Sequence, residues 1–298
     1  YAFAGVFSAL TFLSTQVLES YMSLQVVDKS LSANLASRIL QTSIQLGALL
    51  GASLAGFLLG AGGISAVFLA VMGTFAAGAL GLRAIRFAGA GNAQERVLAG
   101  AASAAVLQSP LLPYSALAAL VVLTIQLGAF NFLLPILSQS ERGWSATQFG
   151  LIDALAGAGA FCAALLAKSG PLRRFSLPVI LAIGLADVLL GTLLNAVLAA
   201  GAAFVLGFCF NQARIRQREI LYSAMRNPSE AAEWSARAAL AGLMTKSGTP
   251  LALGLVFSGA SASEGCWMLG AAMGLALLGL NRLQAFLSSA PLFSGRVG

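Results

Sequence analysis

An all-α, polytopic membrane fold is what this sequence predicts, and three observations predict it. The first is composition: of 298 residues, 58% are hydrophobic and 9% charged, where a soluble domain carries roughly 25% charged residues. The second is segmentation. Apolar runs close to the roughly 20 residues needed to cross a hydrocarbon core recur from one end of the chain to the other. The third is the placement of the cations, which gather in alternate connections between those runs.

Nine spans are expected, at about 2–24, 40–60, 63–84, 115–138, 147–167, 175–195, 197–219, 236–257 and 265–283. The first carries a single charge, Glu19. The second and third are rich in small residues. The fourth holds two uncharged polar residues, Gln126 and Asn131, near mid-depth, and Pro135 toward its outer end. Asp153 lies about six residues into the fifth span, and Asp187 lies in the sixth. The seventh ends in "FCFNQARIRQREILYSAMR", and the eighth contains Lys246 and Pro250. The connections are short apart from 85–114, "IRFAGAGNAQERVLAGAASAAVLQSPLLPY", which is the one plausible linker.

With residue 1 outside, fifteen of the seventeen Lys and Arg fall on the inner side, Arg142 falls outside, and Lys246 lies within a span. That is the positive-inside pattern. It explains the net charge of +7 without nucleic acid, places the C-terminus inside, and suits a bacterial cytoplasmic membrane.

Several chemistries are excluded. The chain has no histidine, hence no His-dependent triad, His metal ligand or His proton switch. No phosphate-binding G-x-x-x-x-G-K-[ST] run occurs. Cys162, Cys209 and Cys266 lack the spacing of a metal site or a disulfide framework and read as small packing residues. No enzyme activity, metal or cofactor is expected.

The chain repeats itself. "SANLASRILQTSIQLGALLGASLAGFLL" (32–59) parallels "AAEWSARAALAGLMTKSGTPLALGLVFS" (231–258), with Arg38 aligned on Arg237. "AAGALGLRAIRF" parallels "ALLGLNRLQAF" at nearly the same offset, which corresponds to six spans. Spans one to three then repeat as seven to nine. Two six-helix halves make twelve helices, of which this chain would hold the last nine. Tyr1 already lies in an apolar run, so the chain is expected to begin inside a longer protein.

These features resemble the major facilitator superfamily, with the whole chain similar to helices four to twelve of that fold. "RILQTSIQLGALLGASLAGFLL" looks like the family's glycine-rich fifth helix, with Gly47, Gly51 and Gly56 at the small positions. Ala52 stands where the family usually has proline. "GWSATQFGLIDALAGAGAFCAALLAKSGPLRR" resembles the passage from helix seven through helix eight to a basic inner loop, ending in Arg173 and Arg174, although the loop's usual aspartate is absent. The resemblance implies a remnant of the N-terminal bundle over 1–84, a cytoplasmic linker over 85–114 and a C-terminal six-helix bundle over 115–298. It implies transport of a small solute by alternating access in a monomeric protein. Without helices one to three, the chain alone is not expected to transport.

Charges at the centre of a bilayer cost a few kcal/mol even on mild scales, so such residues must face protein or water. Lys246 lies about ten residues into its span, or roughly 15 Å. It meets an anionic solute group, or it pairs with Asp153 or Glu19. Pro250 nearby permits bending. Gln16, Glu19 and Ser20 share a face. Glu19 lines the cavity, or forms an inner-gate salt bridge to Arg38 or to a basic residue of the other half. Asn211, Arg214 and Arg218 share a face of the seventh span. Asn211 and Arg214 either face the cavity or belong, with Arg216 and Arg218, to the basic inner belt. Gln126 and Asn131 either line the cavity or bond between helices. Asp153 is a cavity carboxylate or a helix-start carboxylate. Asp187 is expected to make a structural hydrogen bond. Arg38, Arg237, Arg173, Arg174 and the three glycines are structural or gating candidates.

Lys246 and Arg214 lean the interior toward anions, such as a carboxylate siderophore. The overall expectation is proton-linked efflux of a metabolite or drug-like compound, with protons and the bilayer as the other partners. A receptor or scaffold on the same fold, or a membrane-embedded lipid enzyme, is the alternative. A ten-helix drug/metabolite fold is disfavoured by the linker and the six-span repeat.

Overall fold

A computed structural model describes residues 2–84, 111–166, 177–256, 259 and 261–289. All regular structure among these residues is helical: α1 (Ala2–Val27), α2 (Ala33–Ala84), α3 (Leu112–Pro135), a π-helical turn (Ile136–Glu141), α4 (Ala146–Leu166), α5 (Leu177–Thr192), α6 (Ala196–Ser223), α7 (Pro228–Val256) and α8 (Ala262–Ser289). Among the described residues, four helical stretches are long and apolar enough to cross a membrane, against nine expected spans: Leu112–Glu141, Thr147–Leu166, Ala196–Ser223 and Ala262–Ser289. Gly62–Gly78 and Leu177–Thr192 are apolar but shorter.

Four helix starts, those of α4, α6, α7 and α8, carry polar caps. Ser145 and Gln148 bond reciprocally at the start of α4, at 2.9 Å and 3.3 Å. Ser261 and Glu264 do the same for α8, at 2.9 Å and 3.1 Å. These are capping boxes, each satisfying two orphan N–H groups. Asn195 caps α6 by accepting from the N–H groups of Val197 and Leu198. Asn227 caps α7, whose first residue is Pro228, a position where the missing N–H costs nothing. The third and fourth helices are separated by the π turn that follows Pro135. In that turn the pairing widens to i→i+5, as in Arg142 N–H to Leu137 O at 3.0 Å.

The chain divides into two units, 1–45 with 107–298, and 46–106. In the larger unit, one apolar core joins α3, α4, α5, α6 and α8 around Leu123, Ile152, Ile183, Leu206 and Leu277. A second joins α1, the start of α2, α3, α6 and α7 around Met22, Leu40, Leu221, Tyr222 and Trp234. A third ties the π turn and α3 to α8 through Leu133, Leu137, Cys266 and Met273.

Two seams of this unit are closed by glycine. A Cβ on Gly207 would sit 2.0 Å from Ala156 O, and one on Gly159 would sit 2.1 Å from Phe204 O. Here α4 and α6 touch backbone to backbone. Likewise a Cβ on Gly270 would lie 2.6 Å from Gly184 O, which brings α5 against α8. Such approach maximises dispersion contact where lipid supplies no hydrophobic drive between helices.

The smaller unit holds the rest of α2. Its helical path is broken at Gly63, with φ 67° and ψ −168°, a conformation open in practice only to glycine. The sequence analysis ends the second span at about residue 60 and begins the third at Gly63 itself. Of the expected linker 85–114, residues 85–110 lie outside the described residues, and 112–114 already belong to α3. One edge of the smaller unit, 106/107, falls within it, and the other, 45/46, falls inside α2.

Candidate functional site: a buried cationic cluster

The seventh expected span becomes α6, and it places Phe210, Arg214, Arg218 and Tyr222 four residues apart along one face. Arg218 forms an ion pair with Glu19 of α1. Tyr222 donates its hydroxyl to the other oxygen of Glu19 at 3.0 Å. All three groups are buried: Glu19 is 3% exposed, Arg218 6% and Tyr222 0%. Of the alternatives for Glu19, the structure contains the salt bridge to a basic residue across the linker, and that residue is Arg218 rather than Arg38.

Arg214 lies one turn closer to mid-helix and is 8% exposed. Its guanidinium sits over the Phe210 ring, 5.5 Å from the centroid, an arrangement that gives a cation partial compensation. It makes no hydrogen bond or ion pair among the described residues, and its Nε is enclosed without a partner. Arg218 spends Nη2 on Glu19 and leaves Nε and Nη1 without partners.

Lys246 of α7 is in the electrostatic field of both Arg214 and Arg218. Its residue surface is open, and it makes no ion pair among the described residues. It joins neither Glu19, which Arg218 holds, nor Asp153. The turn around it is loosened: Pro250 has no N–H to give the carbonyl of Lys246 four residues back. Thr245 turns its hydroxyl to Ala241 O at 2.6 Å and Thr249 turns its own to Thr245 O at 2.7 Å. Thr249 also seats against Gly128 of α3, where a Cβ would lie 3.0 Å away.

The other candidates separate from this cluster. Asn211 is fully buried and donates to Ala160 O of α4 at 2.6 Å, so it ties two helices together. Gln126 donates to both oxygens of Asp187 at 2.8 Å. Both residues are 2% exposed, and Asp187 edges a small apolar cavity beside Phe130, Leu137 and Cys266. The expected structural hydrogen bond of Asp187 is this one. Asn131 and Asp153 are exposed and bond to nothing among the described residues, while Gln16 is half-buried.

Arg38 donates to Ala164 O and Leu165 O at 3.1 Å and 2.7 Å, covering carbonyls at the end of α4 that have no helical partner. Arg237 pairs with Glu233 and lies over Trp234, 4.8 Å from the centroid. Gly47 is exposed, with open space where a Cβ would stand. The surroundings of Gly51 and Gly56, together with Arg173 and Arg174, lie outside the described residues.

Sequence reasoning missed Tyr222 and the latch between the π turn and α8. Tyr222 was findable, four residues beyond Arg218 on the same face. The latch joins Glu141, which accepts from the N–H groups of Ala262 and Ser263 and from the Ser263 hydroxyl, to Arg142, which donates to Gly191 O and Ser263 Oγ. A carboxylate on a helix N-terminus is favoured by the dipole, but nothing in the sequence says which helix it will reach. Among the described residues no group of His, Cys, Asp and Glu is placed to hold a metal. Compared with protein-family models and with curated proteins, the chain matches none.

Proposed function

We propose that this chain is part of an integral membrane transporter of the major-facilitator type, moving a small solute by alternating access in a bacterial cytoplasmic membrane. The observation that carries the reading is the buried Glu19–Arg218–Tyr222 triad with Arg214 and Lys246 beside it. Charges inside an apolar helical body are costly and mark pathways more often than scaffolds. An ion pair between α1 and α6 is also a contact that can open and re-form, which is what a helix moving between two states needs.

Efflux of a metabolite or drug-like compound, driven by protons, is the direction and coupling we assign. Glu19, the buried carboxylate that pairs α1 with α6, is the residue to which we assign that coupling. A receptor or a lipid enzyme on this fold has no observation in its favour.

The test uses the complete reading frame that encodes this chain, in cells lacking their main exporters. Accumulation of anionic, neutral and cationic compounds is followed with and without an uncoupler, for wild type, Lys246→Ala and Lys246→Arg. Loss of transport in Lys246→Ala, with the protein still in the membrane and partial rescue by Arg, is expected. Accumulation that never differs between expressing and non-expressing cells, for any compound, refutes the reading.

A further inference from the structure

We propose that Arg214, Arg218 and Lys246 form the binding site of a soluble anion bearing at least two negative charges, with Glu19 as the internal anion that holds part of the site when the solute is absent. This deepens the transport reading and rests on it in calling the anion a solute.

The charge inventory carries the argument. The cluster holds three cations and one carboxylate, an excess of two positive charges. The chain has ten acidic residues, and the others are committed elsewhere or lie apart. Asp187 is bonded to Gln126, Glu141 to the start of α8, and Glu233 to Arg237. Glu219 accepts from Asn34 at 3.1 Å and lies in the field of Arg216. Glu230 and Glu264 bond to the starts of α7 and α8. Asp28 and Asp153 are exposed, and Glu95 lies outside the described residues. Glu19 is therefore the one described carboxylate in the cluster.

The donors point the same way. Arg214 Nε, Arg218 Nε and Arg218 Nη1 are enclosed and without partners. A buried donor left unpaired is unfavourable, and more so on a charged group. Guanidinium forks match the oxygens of carboxylates and phosphates in pairs. Arg214 and Arg218 are one turn apart on one helix face, so they repel each other unless an anion lies between them. Lys246, on a different helix and with its surface open, adds the cation that a second anionic group can reach. A monoanion leaves a positive excess, and a cation adds to it.

A phospholipid headgroup carries the same chemistry, so the test separates the two sources. The complete protein is placed in nanodiscs of zwitterionic phosphatidylcholine and its thermal unfolding is followed by tryptophan fluorescence. Succinate and citrate are expected to raise Tm saturably, while acetate, choline and sorbitol leave it unchanged. Lys246→Gln, at an open surface and so expected to fold, is expected to weaken citrate binding by at least about tenfold. Glu19→Gln is expected to lower the Tm without ligand and to enlarge the shift given by citrate, because the internal competitor is gone. A merely structural cluster would lose stability without that gain.

No shift with either polyanion, or equal shifts in wild type and Lys246→Gln, overturns the proposal. Stabilisation by phosphatidylglycerol nanodiscs that depends on Lys246, with none from citrate, overturns the solute assignment. Citrate binding without any transport in cells leaves this site standing and removes the transport reading. Transport of a neutral compound without polyanion binding does the reverse.

Discussion

Gly207→Ala is the sharpest test of how the larger unit is held together. The added methyl would stand 2.0 Å from the carbonyl oxygen of Ala156, 2.8 Å from its carbon and 3.1 Å from its Cα. Ordinary contact begins near 3.4 Å, so α4 and α6 would have to part by more than about 1 Å, since the obstacle is backbone and close-packed interiors give little. Overpacking of this kind costs about 1–3 kcal/mol. The seam has no slack to share the strain, because Gly159 meets Phe204 O in the same way a few residues along. The bond from Asn211 to Ala160 O, at 2.6 Å, crosses the same seam and would lengthen with it.

The controls lie on the same two helices. A Cβ on Gly201 of α6 or on Gly157 of α4 would meet nothing within 4 Å. Alanine there only removes a flexible residue from a helix, which favours folding by about 0.5–1 kcal/mol. The assay is unfolding of the protein in detergent, by heat or by titrated SDS, read through tryptophan fluorescence. The expected order is Gly201→Ala above wild type and Gly207→Ala well below it. If Gly207→Ala unfolds with or after wild type, the backbone contact between α4 and α6 is not what holds this unit.

Three further outcomes are expected. Glu19→Gln should cost about 3–5 kcal/mol, because a buried cation loses its counter-ion, whereas Glu19→Gln with Arg218→Met should recover most of that loss; a double-mutant cycle on unfolding free energies measures the coupling, and simple additivity would count against the pair. Gln126→Leu should destabilise by about 1–3 kcal/mol, leaving Asp187 without its described donor, while adding Asp187→Leu should return the loss, as apolar replacement of both partners is nearly neutral; urea or SDS titration of the two variants decides. Asn195→Ala should cost about 1 kcal/mol through the lost cap of α6, seen as a lower Tm with the unfolding slope unchanged.

The helices were legible because an apolar run and its length are one-dimensional properties. The break at Gly63 fell on the first residue of the third expected span, and the fourth, expected over 115–138, became α3 and the π turn that carries it to Glu141. The direction in which each polar residue points was not legible. A helix that is apolar all round has no periodic stripe from which to read a buried face, so Gln126 and Asn131 look alike in the fourth span. One is buried against Asp187 and the other is exposed. Asp153 and Asp187 divide in the same way. The triad was half legible. The i, i+3, i+7 spacing put Arg214 and Arg218 on one face, but that α1 would lie across it, and that Glu19 would prefer Arg218 to Arg38 or Lys246, depends on tertiary packing. Arg38 illustrates the limit: a cation at an inner helix end suggests a gate, and it instead covers the last carbonyls of α4.

The larger unit has two kinds of seam, which fit different parts in the proposed transport cycle. Between α4 and α6, and between α5 and α8, glycine lets backbone rest on backbone. Parting such surfaces forfeits many dispersion contacts at once and gains nothing in return. Along α1 polar contacts are added to the apolar core around Met22: Glu19 with Arg218 and Tyr222, and Ser23 with Ser235 of α7 at 3.0 Å. Each of those is an exchangeable polar bond, and a solute anion can take the place of Glu19 on Arg218. Pro250 has loosened α7 one turn from Lys246, on the helix that α1 touches through Ser235. In the proposed transporter, then, α4, α5, α6 and α8 form the rigid body, and α1 with α7 is the pair whose movement the bound anion governs. Cross-linking is the direct check. A disulfide between α4 and α6 should leave transport intact, and one between α1 and α6 near Glu19 should abolish it until reduced. The opposite result would place the moving surface in the glycine seam.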